Sequence, residues 1–137
     1  LRHISRKHED YQIDVECEEF ILVHMDVRLI IQVLVNLIDN AIKYNIEKGK
    51  IDININKDDN SFIIEDTGIG ISKANQERVF ERFYQVDKNR ASDQGTGLGL
   101  SIVKHICLKY NIKLKLDSKL NKGTSITLVF PNIEKNK

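Results

Sequence analysis

Ile51-Asp52-Ile53-Asn54-Ile55-Asn56-Lys57-Asp58-Asp59-Asn60-Ser61-Phe62-Ile63-Ile64 is the stretch that decides the fold class. Ile51, Ile53 and Ile55 alternate strictly with polar residues, the period of two that lines one face of a strand. Lys57 to Asn60 is a run of turn formers and Phe62-Ile63-Ile64 begins a return strand, so the stretch reads as a hairpin. Just upstream, Asp26 is a good N-cap, and no Gly or Pro interrupts the next twenty residues. A helix is expected from about Val27 to Ile46, closed by Gly49. A hairpin directly after a helix breaks the strict strand–helix alternation that a doubly wound parallel sheet requires.

The reading extends outward in both directions. Tyr11, Ile13, Val15 and Cys17 alternate with polar residues, and Phe20-Ile21-Leu22-Val23 is a short apolar run, which predicts two strands split by a turn at Glu18-Glu19. Residues 1–10 are charged and aperiodic and read as a leader from a preceding element. Downstream, Asp66-Thr67-Gly68-Ile69-Gly70 ends the return strand, and Ser72 caps a helix running to about Phe83. Tyr84 to Thr96 is polar and loop-like. Leu98 to Tyr110 reads as a third helix, with Leu100, Val103, His105, Ile106 and Leu108 as candidates for its packed side. Lys113 to Leu116 and Thr124 to Phe130 form a closing hairpin around Asn121-Lys122-Gly123. Residues 11–131 thus make one domain, and 132–137 a frayed tail. The order β-β-α-β-β-α-α-β-β predicts an α+β two-layer sandwich: a mixed, mostly antiparallel sheet with about three helices on one face.

Composition sets the outer limits. The chain has 137 residues, 41% hydrophobic and 30% charged, an ordinary balance that excludes wholesale disorder. Its 21 basic and 20 acidic side chains leave a net charge of +1, which removes the electrostatic case for a nucleic-acid or anionic-lipid partner. Cys17 and Cys107 form no CxxC pair and have no histidines at metal spacing. This argues against a disulfide framework or structural zinc and for a reducing compartment. The most apolar stretch, Leu29 to Ile42, is broken by Gln32, Asn36, Asp39 and Asn40, so it does not read as a membrane span. A start at Leu1 rather than Met leads us to expect a piece of a longer protein.

Three features point to chemistry. On a helical wheel Gln32, Asn36, Asn40 and Lys43 fall within an arc of about 80°, with Asp39 at its edge. Amides are mediocre helix formers, and a solvated face more readily uses Glu and Lys. Two Asn four apart set their amide oxygens one turn apart on one side, where a hard cation such as magnesium, sharing phosphate ligands, can use them. Taken alone, the stripe also reads as a wetted face. Asp66, at a strand end beside Gly68 and Gly70, offers a carboxylate to an exocyclic amine where a flat ring can approach the backbone; an ordinary turn is the alternative. Gly95-Thr96-Gly97-Leu98-Gly99-Leu100 leads small residues into a helix N-terminus, a ready anion site or else a hinge. It is not a Walker loop, since no Gly-Lys-Ser/Thr follows, nor a dinucleotide fingerprint, since Leu100 stands in place of the third glycine.

Four segments in order, Asn36-Leu37-Ile38-Asp39-Asn40-Ala41-Ile42-Lys43-Tyr44, Asp66-Thr67-Gly68-Ile69-Gly70, Phe80-Glu81-Arg82-Phe83-Tyr84 and Gly95-Thr96-Gly97-Leu98-Gly99-Leu100, resemble the N, G1, F and G2 boxes of the catalytic ATP-binding domain of sensor histidine kinases. The likeness runs from about Tyr11 to Pro131, and the wider superfamily includes Hsp90-type chaperones, type II topoisomerases and mismatch-repair ATPases. The resemblance implies a Bergerat-type fold and an ATP and Mg²⁺ site. Asn40 would coordinate the metal, with Asn36 assisting there or at the phosphates. Lys43 would meet the phosphate chain and Tyr44 border the nucleotide. Asp66 would accept from the adenine amine, Gly68 and Gly70 would admit the base, and Ile71 and Thr124 would lie beside it. Gly95, Thr96, Gly97, Leu98, Gly99 and Leu100 would cradle the phosphates. Phe80 and Phe83 would anchor a lid that brings in Tyr84, with Arg82, Lys88 and Arg90 as its cations.

The chain also departs from the family pattern. Gln85 stands where many relatives carry an arginine, so Arg90 is the expected substitute. Tyr110-Asn111-Ile112 replaces a common His-Gly-Gly-like turn. None of His3, His8, His24 and His105 sits in a His-Glu-Leu-Arg-like context, so the phosphoacceptor histidine is expected upstream, and no catalytic residue within the chain. The implied partners are the protein's own dimerisation and phosphotransfer domain and a response regulator. The whole protein would be a homodimeric, membrane-anchored sensor of a two-component system. This cytoplasmic piece would be monomeric, with no metal but magnesium. A module that binds nucleotide without phosphotransfer is the alternative that Gln85 motivates. Hydrolysis of the chaperone or topoisomerase kind would need a carboxylate where Gln32 or Asn36 stands, and neither is a competent base.

Overall fold

The computed structural model of the chain describes residues 2–7, 11–17, 21, 23–46, 48–81 and 99–131. The element order is β1 (Arg2–Lys7), β2 (Tyr11–Cys17), α1 (Val27–Lys43), β3 (Gly49–Asn56), β4 (Ser61–Asp66), α2 (Lys73–Gln76), α3 (Gly99–Lys109), β5 (Lys113–Lys119) and β6 (Gly123–Val129). Among the described residues the strands form one sheet in the order β1-β2-β3-β4-β6-β5. Only β2 and β3 pair in parallel, and α1 is the crossover that such a pair demands. The α+β sandwich with a mixed, mostly antiparallel sheet is therefore as expected.

Register carries the alternation across the sheet. Val15, Ile53, Ile64, Ile126 and Leu116 form one cross-strand row, and Ile55, Phe62, Leu128 and Leu114 form the next. These side chains join Val33, Leu37 and Ala41 of α1 and Leu100, Val103, Ile106 and Cys107 of α3 in a single core. The opposite face carries the exposed residues Lys50, Asp52, Asn54, Glu65, Lys113, Lys115 and Lys119. Lysines along β5 also suit a sheet edge, where they discourage pairing with another chain. Among the described residues, no helix is long and apolar enough to cross a membrane.

Several expectations at element ends are corrected. The charged segment read as an aperiodic leader supplies β1, paired antiparallel with β2 from Arg2↔Cys17 to Lys7↔Gln12. The partner of β2 in that hairpin is thus upstream, while Ile21 and Val23, expected in a strand, lie outside any strand. Helix α1 begins as expected: Asp26 Oδ1 accepts from the Arg28 N–H at 2.8 Å and its carboxylate pairs with the Arg28 guanidinium at 2.9 Å, which holds Asp26 below its ordinary pKa. It ends three residues early, at Lys43, because the Asn45 side chain competes for the backbone: Asn45 Oδ1 accepts from Ile46 N–H at 2.9 Å.

Ser72 does cap α2, accepting from Asn75 N–H, but the helix stops at Gln76 rather than near Phe83. Val79 alone is buried between Lys73 and Glu81, and without an apolar stripe further turns have nothing to hold them. On α3, His105 and Leu108 are exposed, Leu108 by 69%, and Cys107 takes the packed place instead. Burial pushes the Cys107 thiol up to about 11, so it stays protonated and serves the core. At Tyr110-Asn111-Ile112 the left-handed backbone of Asn111, φ 59°, ends α3, and Ile112 N–H reaches the Cys107 carbonyl at 2.8 Å.

Candidate functional site

The period of two that builds the core also carries a carboxylate into it. Asp66 follows Phe62 and Ile64 on the helix-covered face of β4 and stands in the row Ile13, Ile51, Asp66, Thr124, Ser118. The row turns polar on one side, where apolar residues would continue the pattern. Asp66 Oδ1 accepts from the Gly68 N–H at 2.8 Å and the Thr124 N–H at 3.2 Å. Desolvation dominates and pushes the Asp66 pKa up, against the pull of those two donors. Both bonds fall on one oxygen, so Oδ2 is the acceptor left for a ligand N–H. A cavity of 360 Å³ at this end of the sheet is lined by Glu65, Asp117, Lys119, Lys122 and Ser125 as well as Asp66, Ser118, Gly123 and Thr124. Glu65, Asp117 and Ser125 alternate with the Asp66 row, so it opens on the uncovered face rather than beside the carboxylate.

The turn after Asp66 is wedged between two parts of the fold. Ile69 N–H donates to the Tyr44 carbonyl at the end of α1 (3.0 Å), and Ile69 O accepts from Asn121 N–H of the β5–β6 turn (2.7 Å). A Cβ on Gly68 would stand 2.2 Å from Tyr44 O, and Gly70, at φ 74°, would meet Lys119 O at 2.0 Å. Glycine is required at both positions, as expected, though the closest approach is made by the protein's own backbone. Ile71 is buried in the core beside this turn.

Along α1, Asn36, Asn40, Lys43 and the capping Tyr44 are half-buried, neither in the core nor in open water. Asn36 Nδ2 is buried with no hydrogen-bond partner, an orphan donor of the kind native proteins rarely keep. Gly99, the first residue of α3, packs beside it: a Cβ there would be 3.8 Å from Asn36 Oδ1. The stripe of amides and the N-terminus of α3 are thereby brought together, and both offer N–H groups suited to an anion. Leu100, expected at the phosphates, is buried in the core. Tyr84, Arg90, Gly95, Thr96, Gly97 and Leu98, with Arg82, Phe83, Gln85 and Lys88, lie outside the described residues. Among the described residues no group of His, Cys, Asp and Glu is set to hold a metal, so a cation here would rest on amide oxygens and the ligand's own phosphates.

Two contributors escaped the sequence reading. Asn45 ties the end of α1 to the turn: its Nδ2 donates to Lys50 O (3.0 Å), and its Oδ1 accepts from Thr67 Oγ1 (3.0 Å), which itself accepts from Lys50 N–H (2.8 Å). Asn45→Ala should lower stability by about 1 kcal/mol, modest because the network is exposed, and a shifted urea midpoint at unchanged slope would report it. The second is Ser118, which accepts from Ile71 N–H at 2.7 Å. Its signal was present: Ser118 breaks the alternation of Leu114 and Leu116, as Thr124 breaks that of Leu128 and Ile126.

A family profile described as histidine kinase-, DNA gyrase B- and HSP90-like ATPase matches residues 25–134. In sequence the chain is 37% identical over 134 residues to the signal transduction histidine-protein kinase ArlS of Staphylococcus aureus, a match covering 95% of this chain and 30% of that protein. In structure it resembles the mycobacterial sensor histidine kinase MprB, with a TM-score of 0.77 at 29% identity over 89% of this chain and 82% of that one. It also resembles the catalytic domain of the histidine kinase ThkA, with a TM-score of 0.69 at 31% identity over 90% of this chain and 80% of that one. The chain belongs to the histidine kinase-, DNA gyrase B- and HSP90-like ATPase family.

Proposed function

We propose that the chain binds Mg–ATP between the amide stripe of α1 and the turn after β4, and presents the γ-phosphate to a histidine on a separate dimerisation domain. The Asp66 carboxylate carries this reading: Oδ1 is filled by two backbone donors, which leaves Oδ2 to accept from an amine such as that of a 6-amino purine. Asn40 and Asn36 hold the metal and phosphates, Lys43 meets the phosphate chain, and Tyr44, Ile71, Gly68, Gly70 and Thr124 surround the base. Gly95 to Leu98 and Gly99 cradle the phosphates, with Leu100 packed in the core beneath them and Tyr84 and Arg90 brought in by the lid. Magnesium, when bound, neutralises phosphate charge and helps align the γ-phosphate. The chain's own task is to bind and orient, since phosphoryl transfer asks chiefly for positioning and charge compensation.

In this reading residues 11–131 are the catalytic unit, 1–10 add β1 to its sheet and join it to a preceding dimerisation segment, and 132–137 are a tail. The whole protein is a homodimeric, membrane-anchored sensor whose cytoplasmic unit serves a response regulator, and this piece alone is monomeric. The chain spans 30% of the length of the curated relative it matches, so the rest of such a protein supplies these functions.

Calorimetric titration with ATP, with and without Mg²⁺, tests the site. Asn40→Ala is expected to weaken Mg–ATP binding by about 2 kcal/mol, roughly thirtyfold, and to remove its magnesium dependence. Undiminished, still magnesium-dependent binding would refute the assignment. Radiolabelled ATP added to the full-length protein should label a histidine outside this chain. Intact binding without labelling would instead favour the nucleotide-responsive module suggested by Gln85.

A further inference from the structure

The two halves of the proposed site sit on different elements. Asn36, Asn40 and Lys43 ride on α1, while Asp66 ends β4 and Gly68 and Gly70 belong to the turn that follows. Apolar side chains hold α1 in the core, but burial of apolar surface is non-directional and does not by itself set the end of a helix against a particular turn. Directional bonds do so at the end of α1, where Asn45 follows the Tyr44 whose carbonyl takes the Ile69 N–H. Asn45 Oδ1 accepts from Ile46 N–H at 2.9 Å and from Thr67 Oγ1 at 3.0 Å, and its Nδ2 donates to Lys50 O at 3.0 Å. The Ile46 N–H needs an acceptor, which fixes the orientation of the amide. Thr67 Oγ1 accepts the Lys50 N–H at 2.8 Å, which leaves its own proton for Asn45. The strap closes over Gly49, where a Cβ would lie 2.1 Å from Asn45 Oδ1 and 2.8 Å from Thr67 Oγ1.

We infer that Asn45 is a positioning residue that sets the distance between the phosphate end and the base end of the site. The inference rests on the nucleotide reading above. Asn45 acts through its neighbours in the chain: it stands just past Lys43 and holds Thr67, which stands just past Asp66. A ligand that spans both halves gains when they are already set at its own length, because binding one end then places the other without further ordering. A ligand that fills only one half gains nothing from that spacing. The strap therefore raises the affinity for the whole nucleotide and leaves the affinities for its parts unchanged. Its bonds are exposed, so the effect has the size of an ordinary hydrogen bond rather than of a core contact.

Titrating the chain with Mg–ATP, with adenosine and with Mg–tripolyphosphate reads the whole ligand against its two parts. In Asn45→Ala the ATP affinity should fall about fivefold, while adenosine and tripolyphosphate each bind as they do to wild type. Thr67→Val removes the same link from the other side, so combining it with Asn45→Ala should lose little more than either change alone. Gly49→Ala should give the same split, because its Cβ displaces the Asn45 amide, the movable end of a side chain. A merely structural role would lower the melting temperature and weaken all three ligands alike, or none of them. Either result in folded Asn45→Ala overturns the inference. So does an ATP loss matched by adenosine alone or by tripolyphosphate alone, which would confine the strap to one half. Losses that add in the double variant would show two separate effects and overturn it as well. A wild-type chain that does not bind ATP refutes the nucleotide reading itself, whereas normal ATP affinity in Asn45→Ala refutes only the role of Asn45.

Discussion

An Asp66→Asn variant is expected to bind ATP at least about 100-fold more weakly while remaining folded. The Gly68 and Thr124 N–H groups are fixed by the backbone and need an acceptor between them. They will hold the carboxamide oxygen, which turns the Asn NH₂ toward the ligand, donor against donor. Losing a charge-assisted bond and gaining an unmatched pair costs about 3 kcal/mol or more, hence the factor. Stability should move the other way. Burial raises the Asp66 pKa in the folded state, so the charged form is penalised by folding. For a carboxyl raised in this sense, the favourable contribution exists below the unfolded pKa, with the group protonated, and is lost as pH rises through the folded pKa. The neutral amide has no such loss. Asp66→Asn should therefore match or exceed wild type in melting temperature at pH 7, and the difference should shrink as pH falls below the ordinary carboxyl range. A variant that melts well below wild type at pH 7 would contradict this account of the carboxylate.

Gly123→Ala should be the most damaging single substitution at the site. Gly123 adopts φ 123°, and an added Cβ would lie 1.9 Å from the Asp66 carbonyl oxygen. That atom belongs to the backbone of β4, so relief requires β6 to move away from β4. Strain at positive φ and overpacking each cost about 1–3 kcal/mol, which together predict a loss of about 3 kcal/mol. Because Thr124 N–H holds Asp66 Oδ1, the shift also loosens the carboxylate, and ATP affinity should fall with stability. Urea unfolding and calorimetry on the same sample test both, and a stable variant with normal affinity would show that the two strands are not so closely apposed.

The two perturbations differ in kind, and so does their visibility in the sequence. The sequence by itself determined the alternation of Ile51, Ile53 and Ile55 against Phe62 and Ile64, hence the hairpin and the face that is covered. It equally determined the amide stripe of Asn36 and Asn40 and the glycines that bracket Asp66. Those features follow from geometry repeated every two or 3.6 residues, which any short window displays. The tertiary structure alone decided that Arg2–Lys7 joins the sheet, since pairing with Tyr11–Cys17 supplies hydrogen bonds that no apolar pattern announces. It decided that α1 stops at Lys43, because Asn45 finds Lys50 and Thr67, and that Cys107 rather than Leu108 meets the core. It also brought the Ile71 N–H to the Ser118 hydroxyl, 47 residues apart in the chain. Each of these outcomes depends on a partner that only folding brings within hydrogen-bonding or packing distance.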